Sequence, residues 1–243
     1  GVNWASGASK IPCFAAEDYP ILPELGADAT SLSIPSDLLL NGINNTIYAT
    51  AEEESRPVMN GIYFDLDVDS TSIVASDAHK LICYTVDGVT VSQKSSFILN
   101  KKPASILKSL LNKVDDPISV TFESLNARFT FASTVLVCRL IDGKFPAYRS
   151  VIPTNNPNKM IIGRIDFLNA VRRVAVCSNQ ATSHIVLKLT DNSLMISAED
   201  TSFSISAYEQ LSCQYSGADL EIGFKAPFLA ELLRNLPFEN LCM

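Results

Sequence analysis

Apolar positions along the chain switch between a helical and a strand period, and the switching occurs in the same order twice. In residues 36–50, Leu38, Leu39, Ile43 and Ile47 line one side at helical spacing, with Ser36 placed to cap the start. Runs rich in β-branched and aromatic residues then predict strands at Gly61–Asp67, Ser72–Ser76 and Leu81–Val86, with Asp67-Val68-Asp69-Ser70 as the first turn. A strand at Ser96–Leu99 leads to Pro103, which suits the first turn of a helix expected to bury Ile106, Leu107, Leu110 and Leu111. Strands Ile118–Phe122, Ala127–Ala132 and Val135–Leu140 follow. The second round reads as helix 165–178, strands Ile185–Leu189, Ser193–Ala198, Ser202–Ala207 and Leu220–Phe224, then helix 227–236.

The repetition is visible in the residues. Ser33-Ile34-Pro35-Ser36-Asp37-Leu38-Leu39 recurs as Ile161-Ile162-Gly163-Arg164-Ile165-Asp166-Phe167-Leu168, and Lys101-Lys102-Pro103-Ala104-Ser105-Ile106-Leu107 as Lys225-Ala226-Pro227-Phe228-Leu229-Ala230-Glu231-Leu232. Strands follow strands without a helix between each pair, so each copy is α+β: two helices on one face of antiparallel sheet. Residues 29–149 form the first copy and 150–243 the second, split near the turn-rich Pro153-Thr154-Asn155-Asn156-Pro157-Asn158. Residues 1–28, with Pro12, Pro20 and Pro23, read as the tail of a preceding domain and a linker. The second copy lacks the roughly 35 residues and three strands that follow the matching helix in the first. The expectation is a fragment of a longer protein. Duplicated modules of this size suit a built assembly, an arc or a ring, better than one catalytic pocket.

Composition narrows this further. A 47% hydrophobic content fits a folded chain, and no apolar run reaches the ~18 residues of a membrane span. Cys13, Cys83, Cys138, Cys177, Cys213 and Cys242 form no CxxC pair, and most sit in apolar patterns. They read as buried reduced thiols of a cytoplasmic protein.

A net charge of −7 argues against nucleic acid until its distribution is read. The helical segments 36–50, 100–113, 164–178 and 225–236 carry Lys101, Lys102, Lys108, Lys113, Arg164, Arg172, Arg173, Lys225 and Arg234 against only Asp37, Asp166 and Glu231. Nine basic against three acidic residues leave +6 on the helices and −13 on everything else. Lys108, Arg173 and Arg234 are expected opposite the buried sides of their helices, and the first helix offers Asn41, Asn44 and Asn45 there. Lys, Arg and Asn without interleaved aromatics suit phosphate contact without base reading.

Candidate chemistry is sparse. Asp77-Ala78-His79-Lys80 is the most suggestive cluster, since an Asp beside a His supplies a general base, and a hydrolase or transferase using Asp77 and His79 is the alternative reading. Two apart in an extended segment, they share a face without a nucleophile beside them on it. Two histidines, His79 and His184, with no cluster at ligand spacing make a metal site improbable, and Glu52-Glu53-Glu54 reads as an exposed acidic tip. There is no P-loop, GxGxxG or GxSxG signature, so no cofactor is expected.

Four separated motifs carry a resemblance. Arg56-Pro57-Val58-Met59-Asn60-Gly61-Ile62 is similar to the RPVLNGI-type signature of the bacterial sliding clamp family, the beta subunit of DNA polymerase III. Ser76-Asp77-Ala78-His79-Lys80-Leu81 resembles its TDGHRL motif, and Asp142-Gly143-Lys144-Phe145-Pro146-Ala147-Tyr148-Arg149 its DGRFPDYR motif. Tyr215-Ser216-Gly217-Ala218-Asp219-Leu220-Glu221-Ile222-Gly223-Phe224 resembles the strand entering its last helix. The match spans the end of the family's first domain, all of the second and most of the third.

The resemblance implies tandem clamp domains with helices facing inward. Two full-length subunits would close as a homodimeric ring around double-stranded DNA without reading its sequence. Lys101, Lys102, Lys108, Arg172, Arg173 and Arg234, with Asn41, Asn44 and Asn45, would face the duplex. The resemblance also implies a non-catalytic role and a cleft between the second and third domains. That cleft would receive peptides of the polymerase III alpha subunit, the clamp loader and other clients. Its wall would include Met59, Ser76, Ala78, His79, Lys80, Leu81, Pro146, Ser150 and Val151, with Lys225 and Phe228 at the edge. Ser76, Ala78 and Ser150 depart from the Thr, Gly and Arg common there. A chain cut at both ends is expected to be monomeric or irregularly associated.

Overall fold

Two hydrophobic cores, each built by the same order of elements, organise the chain. The structure, a computed structural model, describes residues 1–19, 21–53 and 55–243; whatever the sequence reading rests on Pro20 and Glu54 lies outside the described residues. A hairpin of β1 (Val2–Trp4) and β2 (Gly7–Ser9) opens the chain, and a 3-10 turn follows at Ala16–Asp18 with no buried side chain.

The first core runs through β3 (Thr30–Ile34), α1 (Ser36–Thr46), β4 (Gly61–Leu66), β5 (Ser70–Ser76), β6 (Leu81–Asp87), β7 (Ser95–Asn100), α2 (Lys101–Leu111), β8 (Ile118–Phe122), β9 (Asn126–Phe131) and β10 (Thr134–Arg139). The second runs through β11 (Lys159–Gly163), α3 (Arg164–Ala175), β12 (His184–Thr190), β13 (Ser193–Asp200), β14 (Ile205–Ser212), β15 (Gln214–Ser216), β16 (Leu220–Lys225), α4 (Ala226–Asn235) and β17 (Asn240–Cys242). Every named strand pair is antiparallel. The sheet orders repeat: β6-β5-β4-β7 matches β14-β13-β12-β16, and β10-β9-β8-β3 has its counterpart in β15-β11-β17. The fold is therefore α+β, with α1 on α2 and α3 on α4 over antiparallel sheet.

Local chemistry sets the boundaries. The Asn100 side chain caps α2 by accepting from the Lys102 N–H at 3.2 Å, and Pro103 sits in the first turn, where its missing N–H costs nothing. Ser36 does not cap α1 as expected. It is buried, and its hydroxyl donates to the Val114 carbonyl at 2.6 Å, tying the start of α1 to the chain beyond α2.

The core face of α2 also differs from expectation. Ala104, Leu107 and Leu111 are buried, whereas Ile106 and Leu110 are exposed at 40% and 39%. The stripe runs i, i+3, i+7, which turns Ile106 and Leu110 away and puts Lys108 beside the stripe instead of opposite it. The strand expected from Ser202 starts at Ile205. Asp200 claims the preceding residues for a turn, accepting the Ser202 N–H on its carboxylate at 3.0 Å and the Phe203 N–H on its carbonyl at 3.3 Å. The cysteines are unpaired but not buried. Cys13, Cys83 and Cys242 are exposed and the other three half-buried, because they fall on outward or edge positions; burial pushes the Cys138 thiol up to about 11.

Candidate functional site

Where the two cores meet, a cavity of about 310 Å³ opens between a β-turn of the first and the connector to the second. Its walls are Met59, Ser76, Ala78, His79, Lys80, Leu81, Phe145, Pro146, Ala147, Tyr148 and Val151. Met59 ends a 3-10 turn at Pro57–Met59, Ser76 and Leu81 flank the β5–β6 turn, and Tyr148–Val151 form a 3-10 turn in the connector.

The β5–β6 turn is held by its own side chains. The Ser76 hydroxyl donates to the Lys80 carbonyl at 2.9 Å and accepts the Ala78 N–H at 3.1 Å. One oxygen of Asp77 accepts the N–H groups of both His79 and Lys80 at 2.9 Å. Ala78 sits at φ +71°, a left-handed conformation that glycine adopts without strain, and these bonds hold it there.

This geometry removes the Asp77–His79 pair as a catalytic dyad. Asp77 takes the backbone N–H of His79, not its ring, and its other oxygen binds the Lys80 ammonium at 2.8 Å. The His79 ring stacks on Phe228 of α4 with centroids 5.6 Å apart. Lys80 also binds Glu231 of α4 at 3.0 Å. Phe228 is flanked by two ammonium groups, Lys80 at 5.3 Å and Lys225 at 5.1 Å from the ring centre. Tyr48, beside Glu231 and Lys80, has its hydroxyl pushed up to about 12, chiefly by burial. The second core thus closes on the cavity rim through α4.

Burial opposes ionisation of Asp77, but the Lys80 ammonium and the two backbone N–H groups outweigh it and hold the carboxyl below its ordinary value. A depressed carboxylate stabilises the fold above its ordinary pKa, and this contribution disappears as pH falls through the folded value. The melting temperature of Asp77→Asn should therefore lie below that of the parent at pH 6, with the gap closing towards pH 3. A gap that stays constant would show that Asp77 is not linked to proton uptake.

Of the residues expected in the cleft, Met59, Ser76, Ala78, His79, Lys80, Leu81, Pro146 and Val151 line the cavity. Lys225 and Phe228 stand at its rim. Ser150 is not in the lining; its hydroxyl donates to the Ala147 carbonyl at 2.7 Å. Phe145, Ala147 and Tyr148 line the cavity without having been assigned to it, although all three lie inside the quoted DGRFPDYR-like motif. Glu231 had no sequence signal, because it reaches the cavity only through the inter-core contact. A second hollow of about 540 Å³ lies on the sheet face carrying His184, Val186 and Tyr208.

The helix residues expected to face DNA divide into two groups. Lys102, Lys108, Arg172 and Arg234 are exposed and join no ion pair among the described residues. Lys101 binds Glu52 at 2.5 Å, and Arg173 makes a two-pronged contact to Glu209 of β14, with Nε at 2.9 Å. Arg164, counted with the helix charge, spends its guanidinium on the carbonyls of Leu233 and Phe238. Asn41 is exposed, but Asn44 and Asn45 are half-buried; the Asn45 side-chain amide donates back to the Asn41 backbone carbonyl, and Oδ1 of the Asn44 side chain is buried without a partner among the described residues.

A repeated α+β module with paired helices, and a cleft where the copies meet, defines the clamp class of fold. Residues 33–147 match the family model for the DNA polymerase III beta subunit, central domain, and residues 149–243 that for its C-terminal domain. The chain belongs to the DNA polymerase III beta subunit family. It is 31% identical over 229 residues to the beta sliding clamp of Haemophilus influenzae, covering 94% of this chain and 62% of that protein. The beta sliding clamp of Escherichia coli K12 is 29% identical over 242 residues, covering 98% and 65%. Among solved structures, a DnaN sliding clamp from Pseudomonas aeruginosa bound to griselimycin superimposes with a TM-score of 0.88 at 26% identity, over 94% of this chain and 62% of that one. One from Bartonella birtlesii, also bound to griselimycin, gives 0.84 at 28% identity over 95% and 63%. The chain spans a little under two thirds of the length of these relatives.

Proposed function

We propose that this chain is part of a DNA sliding clamp, a non-catalytic processivity factor that encircles duplex DNA and tethers a replicative polymerase. Residues 29–149 would be its central domain and 150–243 its C-terminal domain. The observation that carries this reading is the repeated module whose helices hold Lys102, Lys108, Arg172 and Arg234, exposed and in no ion pair among the described residues, on a chain of net charge −7. Enclosure holds the protein, so each phosphate contact stays weak and screened, which permits sliding. A clamp acting on chromosomal DNA would work in the cytoplasm.

The cavity at the junction of the cores receives a short peptide of the polymerase, the loader or another client. Its apolar walls with a few polar positions suit such an occupant. Griselimycin, found with two relatives, is expected to occupy it here. In the full-length protein a second subunit would join at β14, which has a strand partner on one side only among the described residues and carries Tyr208 at 76% exposure.

The test is topological. A closed ring of full-length subunits loaded on nicked circular DNA should stay bound through gel filtration and be lost when the circle is cut. Equal loss from both forms would overturn enclosure.

A further inference from the structure

Asp65 lies near the end of β4, outside the cavity lining, at 5% exposure. One of its oxygens accepts two bonds, from the Tyr148 hydroxyl at 2.8 Å and from the Arg149 guanidinium at 2.9 Å. Arg149 Nε also donates to the Tyr148 hydroxyl oxygen at 3.0 Å, which closes the three groups into a ring. Arg149 is largely exposed, so the guanidinium bridges solvent to a carboxylate that would otherwise be buried alone.

The connector needs this anchor. After the Ile141 N–H binds the Ile98 carbonyl at 3.0 Å, the backbone bonds among the described residues of 142–151 stay within the connector: Tyr148 to Pro146 and Ser150 to Ala147. Side chains must hold it against the first core. Phe145 stacks on Tyr63 of β4 with centroids 4.7 Å apart and planes within 2°, and Tyr148 meets the same ring edge-on at 6.2 Å. Apolar stacking resists lifting off but slides; the hydroxyl and guanidinium bonds to Asp65 fix where along β4 the connector sits.

We infer that Asp65 is a positioning residue of the client cleft, setting the aromatic wall of Phe145 and Tyr148 from outside the cavity. This rests on the reading of the cavity as the client site. Without Asp65, Tyr148 and Arg149 lose their common acceptor, the wall samples several positions, and a ligand must select the competent one.

Griselimycin titrated calorimetrically into the full chain provides the test, with Leu81→Asp as a control inside the cavity. Asp65→Ala should weaken binding about tenfold in the parent, but less than about threefold in a Tyr148→Phe background, because the two act through one bond. A residue that merely supported overall stability would give the same fold-change in both backgrounds, and that result, or unchanged affinity in Asp65→Ala, overturns the inference. Should Asp65→Ala not fold, Asp65→Asn keeps the shape and loses the charge, and the same comparison applies. If Leu81→Asp leaves binding unchanged, the cavity is not the site, and both the client reading and this inference fall. If Leu81→Asp abolishes binding while Asp65→Ala does not alter it, only the inference falls.

Discussion

Replacing Lys102, Lys108, Arg172 and Arg234 together by alanine is expected to flatten the salt dependence of duplex DNA binding by about three to four units in the slope of log K against log salt. Each phosphate neutralised by a cation releases about 0.9 of a condensed counterion on B-DNA, so four lost contacts set that size. At low salt the same change removes most of the affinity, and it does so equally for any DNA sequence, because no aromatic array accompanies these cations and the Asn44 and Asn45 amides are half-buried. The paired cations behave differently. Lys101 already faces Glu52, and Arg173 faces Glu209, whose carboxyl is held below its ordinary value by the guanidinium beside it. Replacing Lys101 and Arg173 should change the slope by less than one unit, since binding DNA through them first requires leaving a carboxylate. Equilibrium binding to a short duplex across a salt series reads both variants. Equal slopes for the two variants would mean that the sequence-level charge count, not the pairing in the fold, governs the interaction.

That contrast marks how far the sequence could be read. The α+β repeat was legible because its helices and long strands carry local periodicity, and all seven strands expected in the first core begin and end within two residues of expectation. The short strands β11, β15 and β17 were not, since three to five residues are defined by partners far away in the chain: Ile162 pairs with Leu241, and Met160 with Tyr215. The cleft was legible through motif resemblance where its residues are contiguous, as in 76–81. It was illegible where function depends on who meets whom. Nothing in the sequence says that Lys80 is neutralised by Glu231, that Arg173 is neutralised by Glu209, or that Asp65 holds the connector. Ile106 and Leu110 show the same limit in the core. Both are apolar on a helix, but Ala104 completes the buried stripe and leaves them outside.

The largest stability effect is expected at Phe167. Its ring is fully buried in the second core, where Met160, Leu168, Val171, Ile185, Leu187 and Leu233 complete the same cluster. Phe167→Ala removes that volume from α3 and should cost about 3–5 kcal/mol, as deletion of a buried aromatic does when its neighbours collapse only partly. Such a loss is a large part of the ~5–15 kcal/mol that holds an ordinary domain together. The first core shares no member of that cluster, being built on Leu39, Ile43, Ile62, Leu107 and Phe129. The damage should therefore stay local: hydrogen exchange should accelerate across β12, β13 and β14 while β4 and β5 keep their protection. The cleft would be opened from one side. Its floor on β5, β6 and the connector would remain, and the rim formed by Phe228 and Glu231 would go, since α4 packs on α3. Ligand binding in this variant then separates the contributions of the two cores. Loss of protection spreading evenly through both would show that the contacts of Lys80 and His79 with α4 weld them into one cooperative unit.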